Sequence, residues 1–312
     1  MVVFMLERLS DSVALIDTEA LGERAVVAAY LVSGKENALI DMGYRSSAGI
    51  VIRDLEAHGI TGLDYLMPTH VHLDHCGSCG TLAKRYPEAS VLVHPRGQPH
   101  VHDPQRLVEG AKELFGERLM ERYGLPDPVE ANRLCSVADD EAFQLGAGVV
   151  LRSVWTSGHA PHHLSYLHEG DGTLFTGDAV GVCHPAFPAF MPTTPPPSFN
   201  FEKAIETLDR LNTSSVKRFC TPHFGALDTV HEFIQQNLAA LRDWNARLAE
   251  YSSKGVKVEQ IVEMVLKDAC KQIGRPIMDV PEYLRIMTRA SVLGFKGYHE
   301  WKGAQATSQK NI

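Results

Sequence analysis

Residues 69–75 read THVHLDH and place three histidines and one aspartate in seven positions. His70 and His72 are two apart, so in an extended segment their imidazoles face the same side and can share one metal ion. Asp74 and His75 follow where the chain must turn into the next helix. A turn can aim both at a second position a few ångströms away, so the spacing suits a pair of metals better than one. Imidazole suits zinc, iron, copper and nickel, and an added carboxylate makes a borderline site. The bland alternative is a surface cluster of solvated histidines with a capping aspartate. That fits a lone HxH better than it fits HxHxDH directly after an apolar strand.

The remaining ligands must come from elsewhere, each from the end of a strand. His159 in TSGHAPHHLSY follows the apolar run VVLRSVW, Asp178 closes TLFTGD, and His223 in CTPHFG follows KRFC. All three sit where an apolar run meets glycine or proline. One buried histidine is more often a core residue than a ligand; three such residues together with HxHxDH read as the rest of a ligand set.

The elements that must position these residues are legible as patterns. Short β-rich runs at 2–6, 12–17, 25–32 and 37–43 suggest hairpins and a meander. A helix follows over 46–58, then a buried strand over 63–70 that ends at His70. A helix through 81–86 and the strand 90–94 come next. Asp103 before Pro104 is an N-cap and N1 pair opening a helix across 104–123. Strands are expected at 149–155, 164–168, 173–178 and 217–223, with a helix over 201–211. Residues 181–200 hold six of the 17 prolines, which excludes a central helix or strand and predicts a long loop. Beyond residue 228 the apolar period is helical. Ile234, Leu238, Leu241 and Leu248 mark one face, Val258, Ile261, Val262, Val265, Leu266 and Ala269 a second, and a third helix starts near Pro281.

The chain has 312 residues, 44% of them hydrophobic, enough to bury a sizeable core. Its net charge of -8 disfavours phosphate backbones and anionic lipid, so neither nucleic acid nor a membrane is an expected partner. Six scattered cysteines do not make a disulfide scaffold. The start has neither a basic n-region nor a cleavage site, and no apolar run reaches the ~20 residues that span a bilayer. A soluble, cytoplasmic protein with a small-molecule substrate is expected.

The combined motifs resemble the metallo-β-lactamase superfamily, the αββα metallohydrolases. The signature is present as His70, His72, Asp74 and His75, the later ligands as His159, Asp178 and His223, and the family's first motif as Asp41 in DMG. HPRG (94–97), GHAPHHLSY (158–166), TGDAVGV (176–182), TPPP (194–197) and HFG (223–225) are similar to a smaller, often archaeal group related to glyoxalase II and lactonases. The likeness covers residues 1–228. It implies an α/β fold, a four-layer αββα sandwich. Residues 229–302 then form a C-terminal helical region and 303–312 a disordered tail.

The resemblance also implies roles. His70, His72 and His159 bind a first metal, Asp74, His75 and His223 a second, and Asp178 bridges them. Asp41 supports the ligand loop, and His163 matches the family's final, non-ligand histidine. The metals are two divalent ions, zinc first, with iron or a zinc–iron mixture as alternatives. Two cations ~3.5–4 Å apart acidify a bridging water and polarise a carbonyl, with Asp74 orienting the nucleophile or carrying a proton. The reaction class is hydrolysis of a small ester, lactone or thioester. His184, Phe187, Phe190, Met191 and Phe199 are candidates for the substrate pocket.

One departure from the family stands out: His162 replaces the glycine of the common GHTPGH motif and is expected to face solvent. Cys76 and Cys79 form a CxxC with no second CxxC, which reads as packing at a helix start. His100 and His102 repeat HxH without following acids and read as surface or pocket lining. Lys254, Lys257, Lys267 and Lys271 read as a solvated helix face. The C-terminal helices are candidates for covering the pocket or for a homodimer face. Two rival activities belong to similar proteins. One is a mononuclear iron redox enzyme of the persulfide dioxygenase type, and the other, disfavoured by charge, is a nuclease.

Overall fold

A computed structural model describes residues 6–310, with side chains described through Gln305. In chain order the strands are β1 (Leu6–Arg8), β2 (Val13–Asp17), β3 (Ala28–Ser33), β4 (Asn37–Ile40), β5 (Tyr65–Met67), β6 (Ser90–Val93), β7 (Leu134–Ser136), β8 (Ala142–Gly146), β9 (Val149–Trp155), β10 (Leu164–His168), β11 (Thr173–Phe175), β12 (Val182–His184), β13 (Phe187–Met191), β14 (Arg218–Thr221) and β15 (Gly225–Leu227). The helices are α1 (Ala48–Ala57), α2 (Leu73–Cys76), α3 (Cys79–Arg85), α4 (Gln98–His102), α5 (Gln105–Phe115), α6 (Glu117–Tyr123), α7 (Phe201–Asn212), α8 (Val230–Ser253), α9 (Val258–Ile273) and α10 (Glu282–Lys310). The chain divides into two compact units. One comprises residues up to Thr156, His162–Gly177 and Ser215–Val230; the other comprises Ser157–Pro161, Asp178–Ser214 and residues from His231 on.

The first unit contains two sheets. One runs β1-β2-β3-β4-β5-β6-β7, antiparallel through β4 and parallel beyond it. The other runs β15-β14-β11-β10-β9-β8. Alternation along the strands explains the layering. Ala14, Ile16, Ala29, Leu31 and Leu39 point to a core shared with Val51 and Leu55 of α1 and Leu82 of α3. Their neighbours Val13, Leu15, Tyr30, Val32 and Ile40 point the other way, onto Leu151, Leu164, Tyr166 and Phe175 of the second sheet. The first sheet is therefore buried on both faces, which is why β2 reads VALID without polar alternation. Tyr30 keeps its buried hydroxyl satisfied by donating to the Thr221 carbonyl at 2.6 Å.

Several expectations needed correction here. The helix expected over 104–123 is broken into α5 and α6 at Gly116, whose φ of 80° suits only a residue without Cβ. Asp103 still accepts the Gln105 N–H at 3.1 Å. The strand expected at 2–6 lies, except for Leu6, outside the described residues. Helix α10 runs to Lys310, and residues 311–312 are outside the described range.

The second unit holds β12, β13, α7, α8, α9 and α10. The proline-rich segment expected to be a loop forms the β12–β13 hairpin. A two-stranded ribbon has two edges, so Pro188 needs no ladder partner and stays exposed. Asn200 caps α7 by accepting the Lys203 N–H at 2.9 Å. Lys254 and Lys267 pair with Glu250 and Glu263 along their helices, as a solvated face should. Among the described residues no helix is long and apolar enough to cross a membrane.

Asp127 ties three parts of the first unit together, accepting from Arg45 Nε at 2.9 Å, Thr81 Oγ1 at 2.7 Å and Lys84 Nζ at 2.6 Å. Burial alone pushes its carboxyl up, but the Lys84, Thr81 and Arg45 donors outweigh that and hold it at about 2. A depressed folded-state value stabilises the fold above the ordinary carboxylate range, and that contribution disappears as pH falls towards 2. Asp127→Asn is expected to cost about 1 kcal/mol at pH 7 after solvent screening, and clearly less at pH 2. Denaturant titrations of both proteins at the two pH values check this.

Candidate metal centre

The apolar strand β5 carries the chain into Thr69 and His70, and His72 then stands at the N-terminal cap of α2 in extended conformation. His70 Nε2 and His72 Nδ1 consequently face each other at 2.9 Å. One turn on, α2 brings Asp74 and His75 around. His75 Nδ1 lies 2.9 Å from Asp41 Oδ2, and both residues are buried. A carboxylate only accepts, so Nδ1 carries the proton and the Nε2 lone pair points the opposite way. His223 is set by the same device: its Nδ1 donates to the Val26 carbonyl at 3.2 Å. Asp74 Oδ2 lies 3.6 Å from His75 Nε2 and 3.5 Å from His223 Nε2. Ligand atoms of Asp74, His75 and His223 all lie within 4.8 Å of one another.

Asp41 does more than hold His75. It accepts the Thr69 N–H at 2.8 Å and the Thr69 hydroxyl at 3.0 Å, and Thr69 Oγ1 is 3.1 Å from His70 Nδ1. One carboxylate therefore orients both ends of the segment 69–75. Asp41 does so from a φ of 47°, a region that aspartate tolerates better than most residues.

In the second unit, His159 Nδ1 donates to the Thr193 carbonyl at 2.9 Å, which leaves its Nε2 towards Asp178, 3.6 Å from Oδ2. The Thr193 hydroxyl donates to the Asp178 carbonyl at 2.7 Å. Each unit thus presents an imidazole Nε2 beside a carboxylate, with the other ring nitrogen pinned by an acceptor. That donor set fits a divalent cation of the zinc or iron type.

A family model described as the metallo-beta-lactamase superfamily matches residues 22–223. The chain belongs to this superfamily. It is 31% identical over 189 residues to the metallo-beta-lactamase fold-containing protein of Sulfurisphaera tokodaii, covering 59% of this chain and 67% of that one. It is 32% identical over 149 residues to a hydroxyacylglutathione hydrolase of Vibrio campbellii, covering 47% and 44% respectively, so it spans less than half of that relative. Among solved structures, an archaeal superfamily protein from Sulfolobus tokodaii aligns with a TM-score of 0.59 at 27% identity, over 70% of this chain and 80% of that one. A family protein from Thermus thermophilus aligns with a TM-score of 0.67 at 21% identity, over 95% and 96%, and shows the fold alone. The fold class is the α/β, αββα type of the metallo-beta-lactamase superfamily, followed by C-terminal helices. The superfamily consists mostly of metal-dependent hydrolases.

His163 is fully buried with its ring 4.8 Å from that of His70. It sits 2.8 Å from Thr156 Oγ1, which continues to Ser165 Oγ and the Thr176 carbonyl. A Cβ at Gly177 would come within 2.5 Å of His163 Nε2 and 2.6 Å of Thr69 Oγ1, and φ there is 50°. The glycine before Asp178 is thus required by close approach as well as by conformation.

His162 departs from expectation. It is half-buried rather than solvent-facing, its ring lying 6.2 Å from that of His70 and 14° from parallel. It meets His72 edge-on at 5.7 Å and His100 at 6.3 Å. Stacking on its neighbours removes apolar ring surface from water, which holds it inward. His102 is exposed and contacts the Val129 carbonyl. Cys76 and Cys79 are buried core residues, as expected; a hydrogen bond with Cys79 and burial push the Cys76 thiol well up.

The expected pocket residues are placed by packing within the second unit. Phe199 stacks on Phe295 at 4.8 Å, Phe190 on Phe233 at 5.1 Å and His184 on Tyr283 at 5.3 Å. Met191 accepts from the Thr288 hydroxyl, and Phe187 is fully buried. These contacts come from the C-terminal helices, candidates from sequence for covering the pocket. The TPPP loop is likewise stapled to α10. Ser291 Oγ donates to the Pro192 carbonyl at 2.9 Å, and the Thr194 hydroxyl donates to the Ser291 carbonyl at 3.0 Å. Gly294 allows the approach, since a Cβ there would stand 1.7 Å from the Thr194 carbonyl oxygen. Thr193, inside this stapled loop, is the residue that sets His159.

Proposed function

We propose that this protein is a metal-dependent hydrolase of small thioesters, lactones or esters, working with two divalent metals. The observation that carries the reading is the convergence of Asp74, His75 and His223, with His75 fixed in the metal-binding tautomer by Asp41. Superfamily membership and the thioesterase and hydroxyacylglutathione hydrolase names among the relatives support the reaction class.

In this reading His70, His72 and His159 would hold a first metal and Asp74, His75 and His223 a second, with the Asp178 carboxylate available to both. When bound, such a pair supplies a water nucleophile near neutral pH and a Lewis acid for the substrate carbonyl. Asp74, the more exposed of the two carboxylates, is placed to orient the attacking water and to take up its proton. Asp41 and the Val26 and Thr193 carbonyls hold these imidazoles in one tautomer with Nε2 aimed at the site. No serine or cysteine nucleophile is required, and the buried, protonated Cys76 is unsuited to be one.

The test is the metal content of protein purified without added metal, read by plasma mass spectrometry and followed by a thioester and lactone panel. About two zinc, or a zinc–iron mixture, per chain with turnover on the panel is the expected result. About one iron with no hydrolysis would replace this reading with the redox one, for which oxygen consumption with a persulfide is the assay.

A further inference from the structure

The excursion between β2 and β3 has a strained backbone. Glu19, Leu21 and Ala25 have φ of 45°, 60° and 59°, in the left-handed region that favours glycine. Such conformations persist only where the surroundings determine them. Asp17, the last residue of β2, is 1% exposed and supplies that determination. Its Oδ1 accepts the Glu19 N–H and its Oδ2 the Ala25 N–H, both at 3.0 Å. Thr18 closes the base of the excursion, its N–H and hydroxyl both donating to the Val27 carbonyl, at 3.0 and 2.8 Å. The segment that leaves the excursion then holds the turn of His223. The Tyr30 hydroxyl donates to the Thr221 carbonyl at 2.6 Å, the Ala28 N–H donates to the Pro222 carbonyl at 2.8 Å, and the Val26 carbonyl accepts from His223 Nδ1 at 3.2 Å. Ala28 and Tyr30 are fixed by the ladder with β2, opposite Asp17 and Leu15. Val26 precedes that ladder, so the path through Ala25 aims its carbonyl.

We propose that Asp17 is a positioning residue for His223: by clasping the Glu19 and Ala25 N–H groups it holds the strained excursion on the path that aims the Val26 carbonyl at Nδ1. The proposal rests on the metal reading for its consequence at a cation, and not for its geometry. Both oxygens of the carboxylate are used, one at each end of the excursion. Asparagine keeps one acceptor and turns the other into an N–H donor, which opposes one of the two backbone N–H groups. Released from the clasp, Ala25 relaxes towards the negative φ that an alanine prefers, and the Val26 carbonyl turns away from the ring. His223 is then free to carry its proton on Nε2, the nitrogen that faces Asp74. In that tautomer the ring offers the proposed second metal no lone pair at Nε2, so part of the binding free energy is spent on restoring the productive one.

The experiment has two readouts on the full chain. Nitrogen NMR of histidine-labelled, metal-free protein, with His223→Gln to assign the signal, reports which nitrogen of His223 carries the proton. Competition with a zinc chelator reports the affinity for the second zinc equivalent. The wild type is expected to show the Nδ1–H tautomer, and Asp17→Asn a mixture of tautomers with zinc bound about tenfold more weakly. Adding Ala25→Gly to Asp17→Asn should recover about threefold or more of that affinity, because glycine accepts the left-handed conformation without the clasp. Ala25→Val leaves Asp17 in place but disfavours the positive φ, so it should reproduce both effects and carries the test should Asp17→Asn not fold. Asp127→Asn, which removes a carboxylate from another hydrogen-bonded knot of the same unit, should change neither readout. An unchanged tautomer with zinc affinity within about twofold of wild type overturns the proposal and leaves the hydrolase reading standing. A loss of affinity that Asp127→Asn shares and glycine does not rescue also overturns it, by making Asp17 a structural residue. A shifted tautomer in a protein whose wild type takes up no zinc supports the clasp and sinks the hydrolase reading.

Discussion

Asp178→Ala is expected to abolish turnover while the protein remains folded. The residue is buried, its Oδ2 stands 3.6 Å from His159 Nε2, and its backbone carbonyl is held by the Thr193 hydroxyl. The hydroxyl bond is to the main chain and survives the substitution, so the turn that carries residue 178 keeps its anchor. What is lost is the one carboxylate proposed to serve both metals. Without it, two cations lose the negative charge that offsets their repulsion, and the second equivalent should fall away. The expected result is a decrease in kcat/KM of at least ~10³-fold, on the order of 4 kcal/mol of transition-state stabilisation. Metal content should drop from about two to about one per chain. Plasma mass spectrometry, circular dichroism and the thioester assay on the same preparation decide it. Unchanged activity in folded, clean protein would end the bridging assignment.

Asp41→Asn tests the device that sets the ligand loop. Asparagine tolerates the positive φ of this position, so the backbone is preserved. The charge is not preserved, and one of the two acceptor oxygens becomes a donor. His75 Nδ1 then loses its obligatory acceptor or faces an N–H, and the ring is no longer locked with its Nε2 lone pair towards Asp74. The Thr69 N–H and hydroxyl compete for the single oxygen that remains. Affinity for the more weakly held metal is expected to fall about 10–100-fold, as for other partners of metal-binding histidines. The fold should lose about 1–3 kcal/mol from poorly satisfied buried groups. Competition with a chelator of known affinity measures the first effect and a denaturant titration the second. Loss of stability with unaltered metal affinity would reduce Asp41 to a structural residue.

The sequence nominates candidate ligands where spacing carries direction. In HxHxDH the period of an extended chain and the turn after it decide which way each side chain points, so His70, His72, Asp74 and His75 stand out as candidates without a structure. His159, Asp178 and His223 stand out as candidates because each ends an apolar run. The sheets were legible for the same reason: β2, β3 and β4 bury both faces, and a run such as VALID says so. The break at Gly116 and the β12–β13 hairpin were less visible. A single glycine in a helical period and prolines in an edge ribbon are both locally ambiguous, and neighbours settle them.

The tautomers of the ligands lay outside what sequence can express. They depend on acceptors far away in the chain: Asp41 for His75, the Val26 carbonyl for His223 and the Thr193 carbonyl for His159. Two of these are backbone atoms, which every residue possesses and no motif records. The position of His162 and the partners of Phe190, Phe199 and His184 belong to the same class. Residue order alone dictates which side chains could hold metal, in what local sequence and on what kind of strand end, because those follow from covalent geometry and short-range periodicity. Which nitrogen of each imidazole carries the proton, and which rings stand beside the ligands, emerges from folding, because both depend on contacts between residues tens to hundreds of positions apart.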